Sequence, residues 1–187
     1  MIELDHVLVA VDDLAAGAQR FEERFHLSSY EGGRHPGWGT ANRIVPLAGA
    51  YIELIAVVDD AEARRSEFGR WVLSRRGPLG WAVRADIDMI AQRLELPVGE
   101  GSRQTADGQT LRWRFAGVER AMAAPCFPFF IEWAPGTALP GDGGTARLTR
   151  LDLRGDAKRL ANWLCEHDVP IAITPGAPAV AGFSVQR

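Results

Sequence analysis

The sequence predicts an α+β fold built from paired βαβββ modules, with a short C-terminal βαββ extension. Three observations carry that expectation. Short aliphatic and β-branched runs alternate with turn residues, which is a strand signature. Two apolar stripes at helical spacing each follow an aspartate able to cap a helix. The same order of elements then recurs along the chain.

In order, Leu4-Asp5-His6-Val7-Leu8-Val9-Ala10-Val11 is the first strand. Asp12 and Asp13 offer N-caps, and Leu14, Ala18, Phe21 and Phe25 form one face of a helix over about 13–25. Gly32, Gly33 and the run Arg34-His35-Pro36-Gly37-Trp38-Gly39 mark a loop. Strands follow near 42–47 and 51–57, joined at Ala48-Gly49-Ala50. The second copy opens with Leu79-Gly80-Trp81-Ala82-Val83-Arg84, a cap at Asp86 and a stripe of Ile87, Ile90, Ala91 and Leu94. Its strands lie near 99–104, 110–115 and 128–134. Laid on each other, the copies align His6 with Trp81 and Glu53 with Glu132. The predicted units are residues 1–70, 71–135 and, after a Pro/Gly linker, a partial module over 146–187. That last piece has a strand at 148–153, a cap at Asp156, a stripe of Leu160, Ala161 and Leu164, and two short strands near 170–174 and 180–186. It is expected to cover a sheet edge.

The net charge of −3 and the absence of a Lys/Arg run argue against a nucleic-acid partner. No apolar stretch is long enough to span a bilayer, and the N-terminus has no basic region of a signal peptide, so a cytoplasmic location with no membrane partner is expected. Cys126 and Cys165 lie far apart and are expected as free thiols.

Two strands hold a carboxylate among large apolar residues: Glu53 in Tyr51-Ile52-Glu53-Leu54-Ile55, and Glu132 in Phe129-Phe130-Ile131-Glu132-Trp133. A buried carboxylate needs a cation, whether a metal or an arginine, or else a proton. Tyr51, Glu53 and Ile55 share one face, as do Phe130 and Glu132. His6 lies among aliphatics, either as a core histidine or as a ligand. In the Gly-rich loop, His35 is a candidate acid, base or ligand, with Trp38 and Asn42 beside it; the bland alternative is a surface loop. Should Leu111, Trp113 and Phe115 face the helices, Arg112 and Arg114 face the opposite side, there to hold an anionic group or offset the glutamates. Arg64, Arg65, Arg75 and Arg76 are expected on a solvated surface.

The twin βαβββ order, the Leu4-Asp5-His6 opening, the loop Arg34-His35-Pro36-Gly37-Trp38-Gly39-Thr40 with Asn42, and Pro128-Phe129-Phe130-Ile131-Glu132-Trp133 resemble the glyoxalase-like domain proteins of the vicinal oxygen chelate superfamily. The resemblance covers about residues 3–135 and implies two curved sheets enclosing a cup. In metal enzymes of that superfamily, ligands come from the first and last strands of each module. Carried over, these positions are His6, Glu53, Trp81 and Glu132. His6, Glu53 and Glu132 suit a divalent ion such as Mn, Fe, Ni or Zn; Trp81 departs from the pattern and is expected to wall the pocket instead. The resemblance implies a metal-dependent lyase, isomerase or dioxygenase acting on a small oxygenated metabolite, with Glu132 or His35 moving a proton. Trp38, Asn42, Trp81, Arg112, Arg114 and Phe130 would contact that substrate. The alternative is a metal-free protein sequestering a planar compound, and a third is an interaction module. The chain is expected to act as a monomer or a homodimer.

Overall fold

The computed structural model describes residues 2–105 and 108–187. It begins with β1 (Ile2–Ala10), α1 (Leu14–Phe25), β2 (Tyr30–His35), β3 (Thr40–Leu47) and β4 (Ala50–Val57). Two short helices, α2 (Asp60–Arg65) and α3 (Glu67–Leu73), lead to β5 (Gly77–Arg84), α4 (Ile87–Leu94), β6 (Val98–Gln104) and β7 (Thr110–Ala116). Helix α5 (Val118–Ala123) and β8 (Phe129–Trp133) follow. The C-terminal segment holds β9 (Arg147–Arg154), α6 (Ala157–Leu164), β10 (His167–Asp168), β11 (Ile171–Thr174) and β12 (Ala179–Gln186).

Capping aspartates start four of the helices. Asp13, Asp59, Asp86 and Asp156 each accept a backbone N–H from the first turn of α1, α2, α4 and α6. Ser66 caps α3 in the same way. The structure adds α2, α3, α5 and the two-residue β10 to the expected elements. It also turns the anticipated loop at Gly32-Gly33 into β2, which pairs with β3 from Tyr30↔Ile44 to His35↔Thr40. Two glycines make a poor strand in isolation, so pairing with β3 and not local propensity forms β2.

In sheet order the strands run β1-β4-β3-β2-β6-β7-β8-β5, and β5 pairs back antiparallel onto β1, closing the ring. The seam between β2 and β6 is slight: among the described residues its one pair is Arg34↔Gln104. One chain therefore completes the cup without a partner.

Alternation along the strands sorts side chains into two layers. Outside the ring, Leu4, Val7, Ile52, Leu54, Trp81, Val83 and Phe130 pack with Phe21 of α1, Ile87 and Ile90 of α4, and Leu160 and Leu164 of α6. Inside, Leu8, Ala10, Ile55, Leu79, Ala82, Trp113, Phe129 and Ile131 pack with Trp71 and Val72 of α3 and Ala121 of α5. The C-terminal segment does two things. Its β10 pairs beside β1 at Ile2 and Glu3, extending the edge that β4 occupies from His6 onward. Its sheet β11-β9-β12 adds Leu151, Leu153 and Val180 to the outer core. The expected edge cover is thus also a cover for the outer face.

The cup and its polar cluster

The cup encloses a cavity of about 300 Å³. Helices α3 and α5 close its mouth with Ser66, Phe68, Val118 and Met122. One wall is aromatic. Trp38 lies 4.7 Å from Phe68 and Trp113 lies 5.3 Å from Trp133, centroid to centroid. On β6, Gly99 and Gly101 leave space that the rings of Phe115 and Trp113 fill from across the strand pair.

The opposite wall is a buried polar cluster. In β1 the pairing with β5 slips between Leu4 and His6, leaving Asp5 as the extra residue of a bulge. Asp5 therefore stands beside His6, not behind it, and both are buried. Burial alone would raise the Asp5 pKa. The hydrogen bond and charge of His6, with help from Trp133 and Arg84, instead hold it below the usual carboxylate value. An ionised Asp5 can only accept, so His6 Nδ1–H donates to Asp5 Oδ1 at 2.6 Å. Trp133 Nε1 and Arg84 Nη1 donate to Asp5 Oδ2 at 3.0 and 3.3 Å. The same bond fixes the other imidazole nitrogen: His6 Nε2 faces Glu53 Oε2 at 3.3 Å.

Glu53 Oε1 accepts from Asn42 Nδ2 at 2.6 Å. Asn42 Oδ1 in turn accepts from Arg103 Nη1 at 3.3 Å. His35 Nε2 lies 3.4 Å from Asn42 Nδ2 and 3.7 Å from Glu53 Oε1, and its Nδ1 contacts Thr40 Oγ1 at 3.0 Å. Burial drives the His35 pKa down to about 4, the Glu53 charge opposing and Arg103 assisting, so this imidazole is neutral at pH 7. The Tyr51 hydroxyl is pushed well above its ordinary range, first by burial and then by Asp5 and Glu53.

The structure thus gathers His6, His35, Trp38, Asn42 and Glu53 in the cup and leaves the remaining candidates outside it. Trp81 and Phe130 are fully buried in the outer core, and Trp81 Nε1 donates to the Cys126 carbonyl at 3.2 Å. Glu132 points outward too, to Arg114, which also bonds Asp88 of α4. Arg112 lines a groove outside the cup beside Glu100 and Ser102, while Trp113 and Phe115 face inward, the reverse of the expected alternation. Two one-residue offsets, in opposite directions, explain Trp81 and the Phe130–Glu132 face, and Arg112 and Arg114 follow from the reversed face of β7. His6 pairs with Tyr51 as Ala82 pairs with Phe129, so the counterparts of His6 and Glu53 are Ala82 and Ile131. An offset of one residue moves a side chain through the sheet.

The ligand set His6, Glu53 and Glu132 is consequently not assembled. The second module offers Ala82 and Ile131, which bind no metal, and Glu53 spends its oxygens on Asn42 and His6. Among the described residues no group of three or more His, Cys, Asp or Glu side chains is arranged to hold a metal ion. The residues do not fit the metal centre that the resemblance implies. Lining residues not anticipated include Tyr51, Phe68, Arg103, Trp113, Met122 and Trp133, and Asp5 joins the site through His6. Two had a visible signal: Asp5 as the carboxylate preceding His6, and Arg103 as the next same-face residue after Gly99 and Gly101. Cys126 and Cys165 are free, the first buried and the second exposed. No helix among the described residues is long and apolar enough to cross a membrane.

A closed ring of curved sheet around one polar cluster is the architecture of the vicinal oxygen chelate class. More particularly, the chain belongs to the glyoxalase-like domain family, whose model matches residues 4–167. A hypothetical protein from Staphylococcus aureus shares the fold with a TM-score of 0.75 at 15% identity, over 96% of this chain and 89% of that one. Methylmalonyl-CoA epimerase from Mycobacterium tuberculosis superposes with a TM-score of 0.51 at 21% identity, over 72% of this chain and 88% of that one. The Streptomyces coelicolor methylmalonyl-CoA epimerase, in complex with 2-nitronate-propionyl-CoA, gives 0.52 at 16% identity, over 72% and 96%. No curated protein sequence matches this chain.

Proposed function

We propose that the chain is an enzyme that binds a small oxygenated compound in the cup and moves a proton on it, in the manner of an isomerase or lyase. The observation that carries this reading is the buried chain Asp5–His6–Glu53, which ends in a mostly apolar cavity. Glu53 takes a proton from a carbon next to a carbonyl, and His6 holds it on the line between Nε2 and Oε2. Asp5 anchors the imidazole through Nδ1–H so that Nε2 faces Glu53, and Asn42 fixes the carboxylate. His35, held neutral by burial and with Nε2 turned toward Glu53, is the second imidazole of the site and a hydrogen-bonding group for the ligand. No step runs through a metal. The named epimerases also act on an acyl compound, but likeness at 16–21% identity carries the fold alone.

The test is solvent exchange. Compounds with a C–H next to a carbonyl are incubated with the protein in D2O, and loss of that proton signal is followed by NMR. Exchange that falls by at least about a hundredfold in Glu53→Gln and His6→Asn supports the reading. No exchange above the Glu53→Gln background for any compound sinks it. A second reading, binding without chemistry, has its own support in the aromatic wall of Trp38, Phe68, Trp113 and Trp133. It predicts saturable tryptophan quenching with no exchange.

A further inference from the structure

Arg103 is a buried cation with no salt-bridge partner among the described residues. It is 3% exposed and its side chain lines the cup. Among the described residues its guanidinium makes one hydrogen bond, from Nη1 to Asn42, and its Nε is sealed without a partner. Asn42 separates it from Glu53, giving its amide nitrogen to the carboxylate and its oxygen to the guanidinium. The other groups that feel its charge are Tyr30, Tyr51 and His35. The two phenol pKa values are raised and that of His35 is lowered, so all three are neutral at pH 7. Glu67 and Glu119 line the mouth but are exposed to solvent.

A guanidinium removed from water without a counter-charge is costly, and proteins keep such groups where a ligand completes them. The backbone makes room for this one. A Cβ on Gly32 would stand 2.8 Å from Arg103 Nη1, and one on Gly33 would stand 3.1 Å from Arg103 Cγ. The paired glycines of β2 thus form a slot in which the arginine lies.

Resting on the reading of the cup as a ligand site, we propose that Arg103 is its anion anchor and that the ligand is a carboxylic acid with an apolar body. The carboxylate pairs with the guanidinium fork, the body lies along Trp38, Phe68, Trp113 and Trp133, and the reacting carbon faces Glu53. A carboxylate supplies one negative charge for one cation. A phosphate dianion would leave excess charge beside Glu53, against a mostly apolar lining.

Matched pairs test this: phenylacetate against phenylacetamide and 4-phenylbutanoate against 4-phenylbutanamide, followed by quenching of the cup tryptophans. The acids are expected to bind at least about tenfold more tightly than the amides. That preference should fall below about twofold in Arg103→Met and persist in part in Arg103→Lys. Ligand-free Arg103→Met should melt above the wild type, because an uncompensated buried cation has been removed. Equal binding of acids and amides, a preference surviving in Arg103→Met, no binding of either series, or a lower melting temperature of Arg103→Met each overturns the assignment. Should Glu53-dependent exchange on neutral ketones remain when these fail, proton transfer stands without the anchor. An Arg103-dependent acid preference with no exchange leaves the anchor in a binding protein.

Discussion

Replacing Gly32 by alanine puts the glycine slot of β2 to a quantitative test. The residue has no positive φ, so alanine meets no backbone strain. Its Cβ, however, would stand 2.0 Å from Asn42 Oδ1. Asn42 is 2% exposed and bonded at both ends, to Glu53 and to Arg103, so it cannot simply swing aside. Displacing it forfeits a bond to a buried carboxylate, about 1.5–3 kcal/mol. Overpacking adds about 1–3 kcal/mol. Restricting the unfolded chain returns about 0.4–1 kcal/mol. The net loss is about 2–5 kcal/mol, which for a chain of this length lowers Tm by roughly 4–20 °C. Thermal melts should be run beside Gly182→Ala, whose added Cβ meets nothing within 4 Å. That control should stay within about 2 °C of the wild type. In an Asn42→Ala background the Gly32→Ala penalty should shrink, since the struck oxygen is gone. A Gly32→Ala protein melting within about 2 °C of wild type, or an undiminished penalty in the double variant, refutes the reasoning.

Three further outcomes are expected. Trp81→Phe should cost about 1–3 kcal/mol in urea titration, because the Cys126 carbonyl loses its buried donor. Ligand quenching by the cup tryptophans should persist, and its loss without destabilisation would put Trp81 back in the cup. Because burial depresses His35 to about 4, the unfolded chain binds its proton first. Stability therefore falls as pH drops from about 6.5 to 4, by up to roughly 3 kcal/mol. His35→Gln should flatten that limb. Asp5, whose folded value is lowered, adds its own loss only at lower pH, through the carboxylate range. An unchanged limb in His35→Gln would contradict the assignment. Finally, elemental analysis of protein prepared without chelator should find well under one equivalent of Mn, Fe, Ni or Zn. One full equivalent that survives Glu132→Gln and disappears in His6→Ala would show that the first module alone holds a metal.

Some features were legible along the chain because their signals are local. Asp13, Asp86 and Asp156 mark helix starts, since a cap depends on residues two or three positions away. The stripe Leu14, Ala18, Phe21, Phe25 and the alternation of Tyr51, Glu53 and Ile55 likewise need only the element's own period. The His35–Asn42 segment stood out because Gly37 and Gly39 flank Trp38 in a turn, both at positive φ. Aligning the two copies was harder, because both faces of the closing strands are apolar. Phe129 and Phe130 look alike in sequence, and Trp81 and Ala82 are both apolar, yet one face meets the helices and the other the cavity. Hydrophobicity does not distinguish two buried faces, so the offset that put Glu132 with Glu53 could not be rejected.

The pairing decided it. Ala82 lies opposite Phe129 as His6 lies opposite Tyr51, and the bulge at Asp5 sets two consecutive residues side by side. The lone arginine is also a tertiary result: Arg103 is polar in sequence and becomes a buried cation only when β6 meets the glycines of β2 across the seam. The chain by itself determined which segments become strands and helices, because period and capping act over a few residues. Which face each side chain presents was settled only when the strands paired, because a shift of one residue costs nothing in local propensity and exchanges inside for outside.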